Sequence, residues 1–123
     1  MGVAVDPSDE KSLLPHFMIL IYEREAPASA SAAPPTVLQA HLQLPRQIAE
    51  TGARIIAGNA MGPTSNAVSI RDNVPVGGSL AGNEQTLAGY FLVEASDMDH
   101  AVWIGRMVPV IDGWVEVRPV LTS

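Results

Sequence analysis

The chain has 123 residues, the size of one domain, which leaves no room for a second hydrophobic core. Hydrophobic residues make up 47% of the sequence, so the composition argues against an intrinsically disordered protein. A net charge of −6 with only 7 Lys and Arg residues argues against nucleic-acid binding, and the absence of cysteine excludes disulfides, thiolate metal ligands and cysteine nucleophiles.

Membrane and secretory segments are not indicated by the sequence. The apolar run over residues 17–22 is six residues long, whereas a transmembrane helix needs about 20. The first ten residues carry Asp6, Asp9 and Glu10 and no basic residue, unlike a secretory signal. We therefore expect a cytoplasmic protein with no membrane partner, in which residues 1–14 are a polar N-terminal extension and residues 15–123 form the domain.

The first half of the domain is predicted to contain a strand, a loop and a helix. The continuous apolar run within residues 16–23 is typical of a central strand. Residues 26–35 are all Ala, Ser or Pro, which indicates a mobile loop. A helix then follows, with Thr36 as N-cap and Gly52 as C-cap, and Pro45 is expected to kink it or break it into two pieces.

The second half is predicted to be mainly strands. Residues 54–59, 67–71 and 87–94 have strand character, and residues 73–78 form a turn-rich continuation of the second of these segments. Ser96 and Asp99 fit a weak capping box, so Ser96 is expected to open a second helix, which Pro109 ends. The predicted apolar face of that helix carries Met98, Ala101, Val102, Gly105 and Val108. Trp103 is expected to point outward, and residues 113–117 are the last strand.

With the middle hairpin counted as an insertion, the element order is βαββαβ, which predicts a ferredoxin-like α+β sandwich. Two helices would cover one face of its sheet. The other face, carrying Phe17, Ile19, Ile21 and Phe91 or their alternates, would be left open. Because such a face is commonly buried by a second copy of itself, the sequence predicts a homodimer.

Three segments and their spacing resemble the YCII-related family, in its DGPF-domain branch. They are residues 18–22, residues 87–94 and the closing Val-Glu-Val-Arg-Pro at residues 115–119, together with the helix start at residues 96–101. The resemblance covers roughly residues 17–120. It implies a ferredoxin-like domain that dimerises into an α/β barrel, which agrees with the fold predicted from the element order.

The signature loop of that branch is degenerate in this chain. Where the family usually has Asp-Gly-Pro-Phe, Gly77 stands at the aspartate position, Ser79 at the proline and Leu80 at the phenylalanine. An aspartate could act as a base or an acceptor, and glycine can do neither. Any chemistry that the family performs at this loop is therefore lost or moved in this chain.

His41 is the main candidate for chemistry, because it lies on the apolar face of the first helix between Val37 and Leu44. Its imidazole can exchange a proton near neutral pH, and the resemblance implies a histidine and an aspartate in the cleft between helix and sheet. Two interpretations stay open: a buried structural histidine that has found a hydrogen-bond partner, or a catalytic residue of a site. Either way His41 is expected to face the cleft with a partner.

Tyr90 and Arg118 are predicted to bind ligand, with Arg118 in a charged lining of the dimer cleft where it holds a carboxylate. A solvated or paired strand edge is an equal alternative for Arg118. Asp97 and Asp99 are assigned to helix capping, and His16 and His100 to the exposed surface. The three histidines lack metal-ligand spacing and no cofactor motif is present, so no metal and no cofactor are expected.

Two functions are consistent with these residues. The first is a small dimer that binds a small molecule or a protein partner in the helix–sheet cleft with little or no catalysis, and we favour it because no complete catalytic constellation is apparent. The alternative is a cofactor-independent isomerase, lyase or oxygenase that uses His41 as general acid or base, with Arg118 or Tyr90 steadying an anion. The sequence does not decide whether the protein is an enzyme.

Overall fold

The computed structural model of the protein describes residues 14–25, 35–81 and 84–121. Nearly all of the expected N-terminal extension over residues 1–14 and of the expected loop over residues 26–35 lies outside the described residues. In chain order the elements are β1 (His16–Arg24), α1 (Pro35–Glu50), β2 (Arg54–Ala60), a 3₁₀ helix (Thr64–Asn66), β3 (Val68–Arg71), β4 (Val74–Gly77), β5 (Gln85–Glu94), α2 (Met98–Met107) and β6 (Gly113–Pro119).

Four strands form one sheet in the order β2-β5-β1-β6, and every neighbouring pair is antiparallel. Strand β1 lies in the interior of the sheet, as its continuous apolar sequence predicts. Helix α1 connects β1 to β2, and α2 connects β5 to β6. The predicted α+β class is confirmed, and the arrangement is compatible with a ferredoxin-like α+β fold.

The hydrophobic core lies between this sheet and the two helices. On β1, Phe17, Ile19 and Ile21 are buried and their neighbours are half-buried, because successive side chains of a strand point to opposite faces. The two helices and the C-cap of α2 also contribute to the core. Their buried residues are Leu44, Ile48, Ala101, Ile104 and Val108. Both helices therefore cover the face of the sheet that carries Phe17, Ile19 and Ile21.

Helix α1 runs without interruption past Pro45, so the expected break into two pieces is wrong, and the alternative, a kink at Pro45, stays a prediction. Leu44 and Ile48 are fully buried on either side of the proline, and their packing keeps both parts of the helix on the sheet. The helix also begins at Pro35, one residue before the predicted N-cap, since proline is well tolerated in the first helical turn. Its end is as predicted: Gly52 has a φ of 89°, which suits glycine at a helix C-terminus.

Helix α2 begins one residue later than predicted. Its N-cap is Asp97, whose side chain accepts a hydrogen bond from the His100 N–H, so the prediction of Ser96 as the opening residue is wrong. The buried face also differs from the predicted one. Ala101, Gly105 and Val108 are buried as expected, Ile104 joins them, and Met98 and Val102 are exposed.

Residues 68–77 form a hairpin that belongs to a separate two-stranded sheet. Its turn residues, Asp72 and Asn73, have φ values of 52° and 67°. Positive φ at both central residues is the geometry of a two-residue type I′ turn, which fits the twist of an antiparallel pair. The segment expected to be a turn-rich continuation is therefore the second strand of this hairpin.

The face of the sheet opposite the core carries no helix within the described part of the chain, and we call it the open face. Its side chains, given by the strand register, include Met18, Leu20, Tyr22, Tyr90, Leu92, Trp114, Glu116 and Arg118. Tyr22 and Trp114 stack there with ring centroids 5.5 Å apart. The sequence predicts that the uncovered face carries either Phe17, Ile19 and Ile21 or the residues that alternate with them. In the structure it carries the alternating residues, because Phe17, Ile19 and Ile21 face the core.

Candidate functional site

His41 borders a cavity of about 400 Å³ between α1 and the sheet. It lies one turn before Leu44, which is fully buried, and the helix therefore directs His41 toward the sheet. The residue is half-buried. The predicted position of His41 in the cleft is thus found in the structure.

Small residues of β2 and β5 create the space in front of His41. The wall includes Gly58, Ala60, Ala88 and Gly89, where most strands would carry larger side chains. The Phe91 ring lies over Gly58, since a Cβ at Gly58 would come within 2.6 Å of the Phe91 Cδ1 atom. The cavity therefore depends on small residues at neighbouring positions of two paired strands.

The partner that was expected for His41 is not found among the described residues, where no hydrogen bond or ion pair involves its ring. The physical reason is its half-exposed position, which lets solvent satisfy both ring nitrogens without a protein partner. Among the described residues, no side chain occupies the ring nitrogens of His41 at the cavity wall. Its interpretation as a fully buried, internally satisfied histidine does not fit this geometry.

Within the described part of the chain, Glu23 supplies the one carboxylate on the cavity wall. It follows Ile21 by two residues on β1, so its side chain points to the same face of the sheet as the core. The prediction from sequence missed this residue, although the period-two alternation from Phe17 through Ile21 contains the signal. The cavity therefore presents an imidazole and a carboxylate on otherwise apolar and small-residue walls.

Tyr90 and Arg118 are not brought together with His41 as one constellation. Tyr90 borders the cavity from β5, but strand alternation directs its side chain to the open face, where its hydroxyl lies 3.0 Å from the Asn59 Nδ2 atom. Arg118 also lies on the open face, two strands away from Tyr90, with its Nε atom 3.5 Å from a Glu116 carboxylate oxygen. The paired-edge interpretation of Arg118 fits this arrangement, and its role in a dimer cleft stays a prediction.

A second charged cluster lies at one end of the open face. Among the described residues, Glu94 is the one charged residue that is buried, with 5% of its surface exposed. Its carboxylate lies 3.1 Å from the Arg54 Nη2 atom and 3.5 Å from the His16 Nε2 atom. His16 is thus half-buried beside a carboxylate and not simply exposed as predicted. Only the strand register could have revealed this, since the three residues are far apart in sequence.

His100 was expected to face solvent, and this expectation is wrong. Its Nδ1 atom accepts a hydrogen bond from the Ser96 N–H at 3.0 Å, and its Nε2 atom lies 2.9 Å from the Thr51 hydroxyl oxygen. The ring sits at the junction between the end of α1 and the start of α2. These contacts assign His100 a structural role and leave no nitrogen free for chemistry.

A larger cavity of about 610 Å³ lies at the base of the β3–β4 hairpin. Its wall includes Tyr22 and Leu87 from the open-face side of the sheet, and Ala67 and Ser79 from the two ends of the hairpin. The degenerate signature loop, residues 77–80, begins in β4 and reaches this wall at Ser79. In the described part of the chain, no carboxylate, histidine or basic side chain belongs to the wall of this cavity.

Within residues 14–25, 35–81 and 84–121, no three His, Asp or Glu side chains are placed to share a metal ion. Nor does any helix in those ranges have the length and apolar composition needed to cross a bilayer. Known protein families and curated proteins give no match to this chain. The functional assignment therefore depends on the residues and their geometry.

Proposed function

We propose that the protein is a cytoplasmic homodimer of the YCII-related, DGPF-type kind that binds a small molecule in the His41 cavity with little or no catalysis. The observation that carries the proposal is the half-buried His41 ring, without a partner among the described residues, on the wall of a cavity of about 400 Å³. Cavities of roughly 300–1,000 Å³ with apolar walls and a few polar groups are the usual small-molecule sites.

The walls also define the class of ligand. Gly58, Ala60, Ala88 and Phe91 offer apolar contact, while Glu23 accepts hydrogen bonds and His41 can donate or accept one. A small, largely apolar molecule with a hydroxyl or amino group fits these walls. A molecule with a carboxylate at the same position would be repelled by Glu23.

The dimer is proposed on the open face. Met18, Leu20 and Leu92 lie at the middle of this face without a helix over them in the described part of the chain. Contiguous apolar patches larger than about 300–600 Å² are rarely left in contact with water. Pairing of two open faces would bury these side chains and give the dimeric α/β barrel that the family resemblance implies.

The binding proposal is tested with cyclohexanol and cyclohexylamine as probes and cyclohexanecarboxylate as the chemical control, with binding followed by protein-observed NMR. We expect the alcohol or the amine to shift resonances of α1 and β5, and the carboxylate to have no such effect. Ala88→Leu, which fills the cavity, and His41→Gln should both weaken binding. Arg118→Gln on the open face is the matched control and should bind as the wild type does.

If neither the alcohol nor the amine perturbs the cavity residues, or if Ala88→Leu binds as well as the wild type, the proposed site is wrong. The dimer is tested separately by light scattering at micromolar concentration, which should give twice the 13.0 kDa chain mass. A monomeric mass would refute the dimer and leave the binding result unaffected.

The second candidate function is a cofactor-independent enzyme with His41 as general acid or base. The observation that favours it is that Glu23 and His41 face the same cavity, since a carboxylate and an imidazole can divide the acid and base roles. The version in which Arg118 steadies an anion is abandoned, because Arg118 lies on the opposite face of the sheet. Loss of turnover in His41→Gln with unchanged melting temperature would support this candidate over simple binding.

A further inference from the structure

The β3–β4 hairpin exposes an apolar face that has no partner within the described part of the chain. In the register of the hairpin, Val68 pairs with Gly77 and Ile70 pairs with Pro75, so Val68, Ile70 and Pro75 share one face. Val68 is 65% exposed and Ile70 is 71% exposed. We call this surface the arm face.

A hairpin of this kind needs additional packing. An isolated two-stranded sheet is at best marginally stable in water, and antiparallel strands normally pack one of their faces on a core. The described contacts of the hairpin lie at its base. Gly78 N–H donates to the Ala67 carbonyl, and the Ser69 hydroxyl donates to the Gly78 carbonyl while accepting from Leu80 N–H.

Ser69, which makes these base contacts, lies on the side of the hairpin opposite the arm face. That side also carries Arg71 and the exposed Val74 and Val76, so the arm face is the more continuously apolar of the two. Pro75 also removes a backbone donor from β4, which protects that strand against pairing with another edge. The hairpin is therefore suited to packing through the arm face and poorly suited to adding a strand through the β4 edge.

The position of the hairpin connects it to the open face. Ala67 and Ser79, at its two ends, line the cavity of about 610 Å³ together with Tyr22 and Leu87, whose side chains lie on the open-face side. The hairpin thus emerges at the border of the surface that the proposed dimer would bury.

The open face by itself is at the lower end of the size range of dimer interfaces. Four strands of 7 to 10 residues have a flat, projected area of about 500 Å² from the usual strand spacing and rise, and their accessible area is somewhat larger. A standard interface buries about 800 Å² on each partner. The arm face would supply further apolar area from a hairpin whose base lies at the border of this surface.

We propose that the arm face of the β3–β4 hairpin packs on the open face of a second copy of this chain. The hairpin is then an intersubunit arm, and each protomer covers part of the apolar sheet of its partner. This inference rests on the proposed homodimer and adds to it the element that completes the interface.

The test compares two aspartate variants of the hairpin by sedimentation over a micromolar concentration series. Ile70→Asp places a charge in the arm face and should raise the dimer dissociation constant at least about tenfold, because an unpaired charge would be buried. Val74→Asp is the matched control on the other side of the hairpin, and its dissociation constant should stay within about twofold of the wild type.

Because the chain has no cysteine, a single introduced thiol reports how accessible its position is to a reagent. This measurement is independent of the dissociation constants and can be made even when the substitution weakens the dimer. The thiol of Ile70→Cys should react more slowly with a maleimide as the protein concentration rises through the range in which the dimer forms. The thiol of Val74→Cys should react at a constant rate.

Equal dissociation constants for Ile70→Asp and the wild type, or a concentration-independent rate for Ile70→Cys in a dimeric protein, would overturn the arm and leave the dimer standing. A wild type that stays monomeric over the whole series would overturn the dimer and the arm together, and would leave ligand binding at His41 unaffected.

Discussion

His100 and Thr51 join the two helices of the protein through a hydrogen bond of 2.9 Å between the Nε2 atom of His100 and the hydroxyl oxygen of Thr51. The direction of this bond follows from its neighbours. Ser96 N–H can only donate, so the His100 Nδ1 atom accepts and the ring proton is on Nε2. The Thr51 hydroxyl donates in turn to the Ile48 carbonyl at 2.7 Å. The chain of bonds fixes the end of α1 against the start of α2.

Loss of either side chain should weaken the junction of the helices. We expect His100→Ala and Thr51→Val each to lower the free energy of unfolding by about 1 kcal/mol, as for a part-buried hydrogen bond. In a double-mutant cycle the two changes should couple by about 0.5–1 kcal/mol, measured by urea denaturation. Strictly additive effects would show that the two side chains do not interact in solution.

The N-cap of α2 gives a direct comparison of neighbouring residues. Asp97→Ala should destabilise the protein by about 1 kcal/mol, because the Asp97 carboxylate accepts the His100 N–H bond. Ser96→Ala should have a clearly smaller effect, since the backbone N–H of Ser96 makes its principal bond. Chemical denaturation of both variants measures the difference in free energy of unfolding. A larger decrease for Ser96→Ala than for Asp97→Ala would support Ser96 as the N-cap, as predicted from the sequence.

Gly113 allows β6 to approach β1 closely. A Cβ at this position would overlap the carbonyl oxygen of Tyr22, which is backbone and cannot rotate away. Gly113→Ala should therefore lower the free energy of unfolding by about 2 kcal/mol or more. Gly77→Ala is the control, because a Cβ at Gly77 would have no atom within 4 Å of it. Thermal unfolding should show little change in that variant, and similar losses in both would contradict the close approach.

The carboxylate of Glu25 should titrate abnormally. Hydrogen bonds from the Thr64 backbone N–H and from the Thr64 hydroxyl lower the pKa of Glu25 from its ordinary value of 4.5. Because the folded-state pKa is lowered, the contact stabilises the fold above pH 4.5 and this contribution is lost as pH falls through the folded-state value. NMR titration of the side chain should show this shift, and Thr64→Val should move the pKa part of the way back. Glu25→Gln should remove the corresponding pH dependence of stability.

The order of the elements could be predicted because it is encoded locally. The apolar run of β1 and the recurrence of Leu44 and Ile48 identify their elements without reference to the rest of the chain. One error lies where tertiary packing outweighs local preference: Pro45 stays within one helix because Leu44 and Ile48 are both buried. The other is local, since Asp97, one residue after Ser96, accepts the bond from the His100 N–H and is the N-cap.

The candidate site was predicted in part for the same reason. His41 could be assigned to the inner face of a helix from spacing alone, and the structure places it on the cavity wall. Glu23 needed the alternation of β1 to be followed beyond Ile21. The enzyme alternative combined Arg118, as a group that steadies an anion, with His41, although strand alternation already separates Arg118 from the core face.

By itself, the sequence determined the α+β class, the central position of β1 and the inward direction of His41, because hydrophobic periodicity is a property of neighbouring residues. Only the tertiary structure decided which residues meet across long separations. The Glu94 pair with Arg54, the His100 bond to Thr51 and the Gly58 and Gly89 wall of the cavity all depend on strand register and helix placement. These are set by how the whole apolar surface packs, and no short stretch of the chain contains that information.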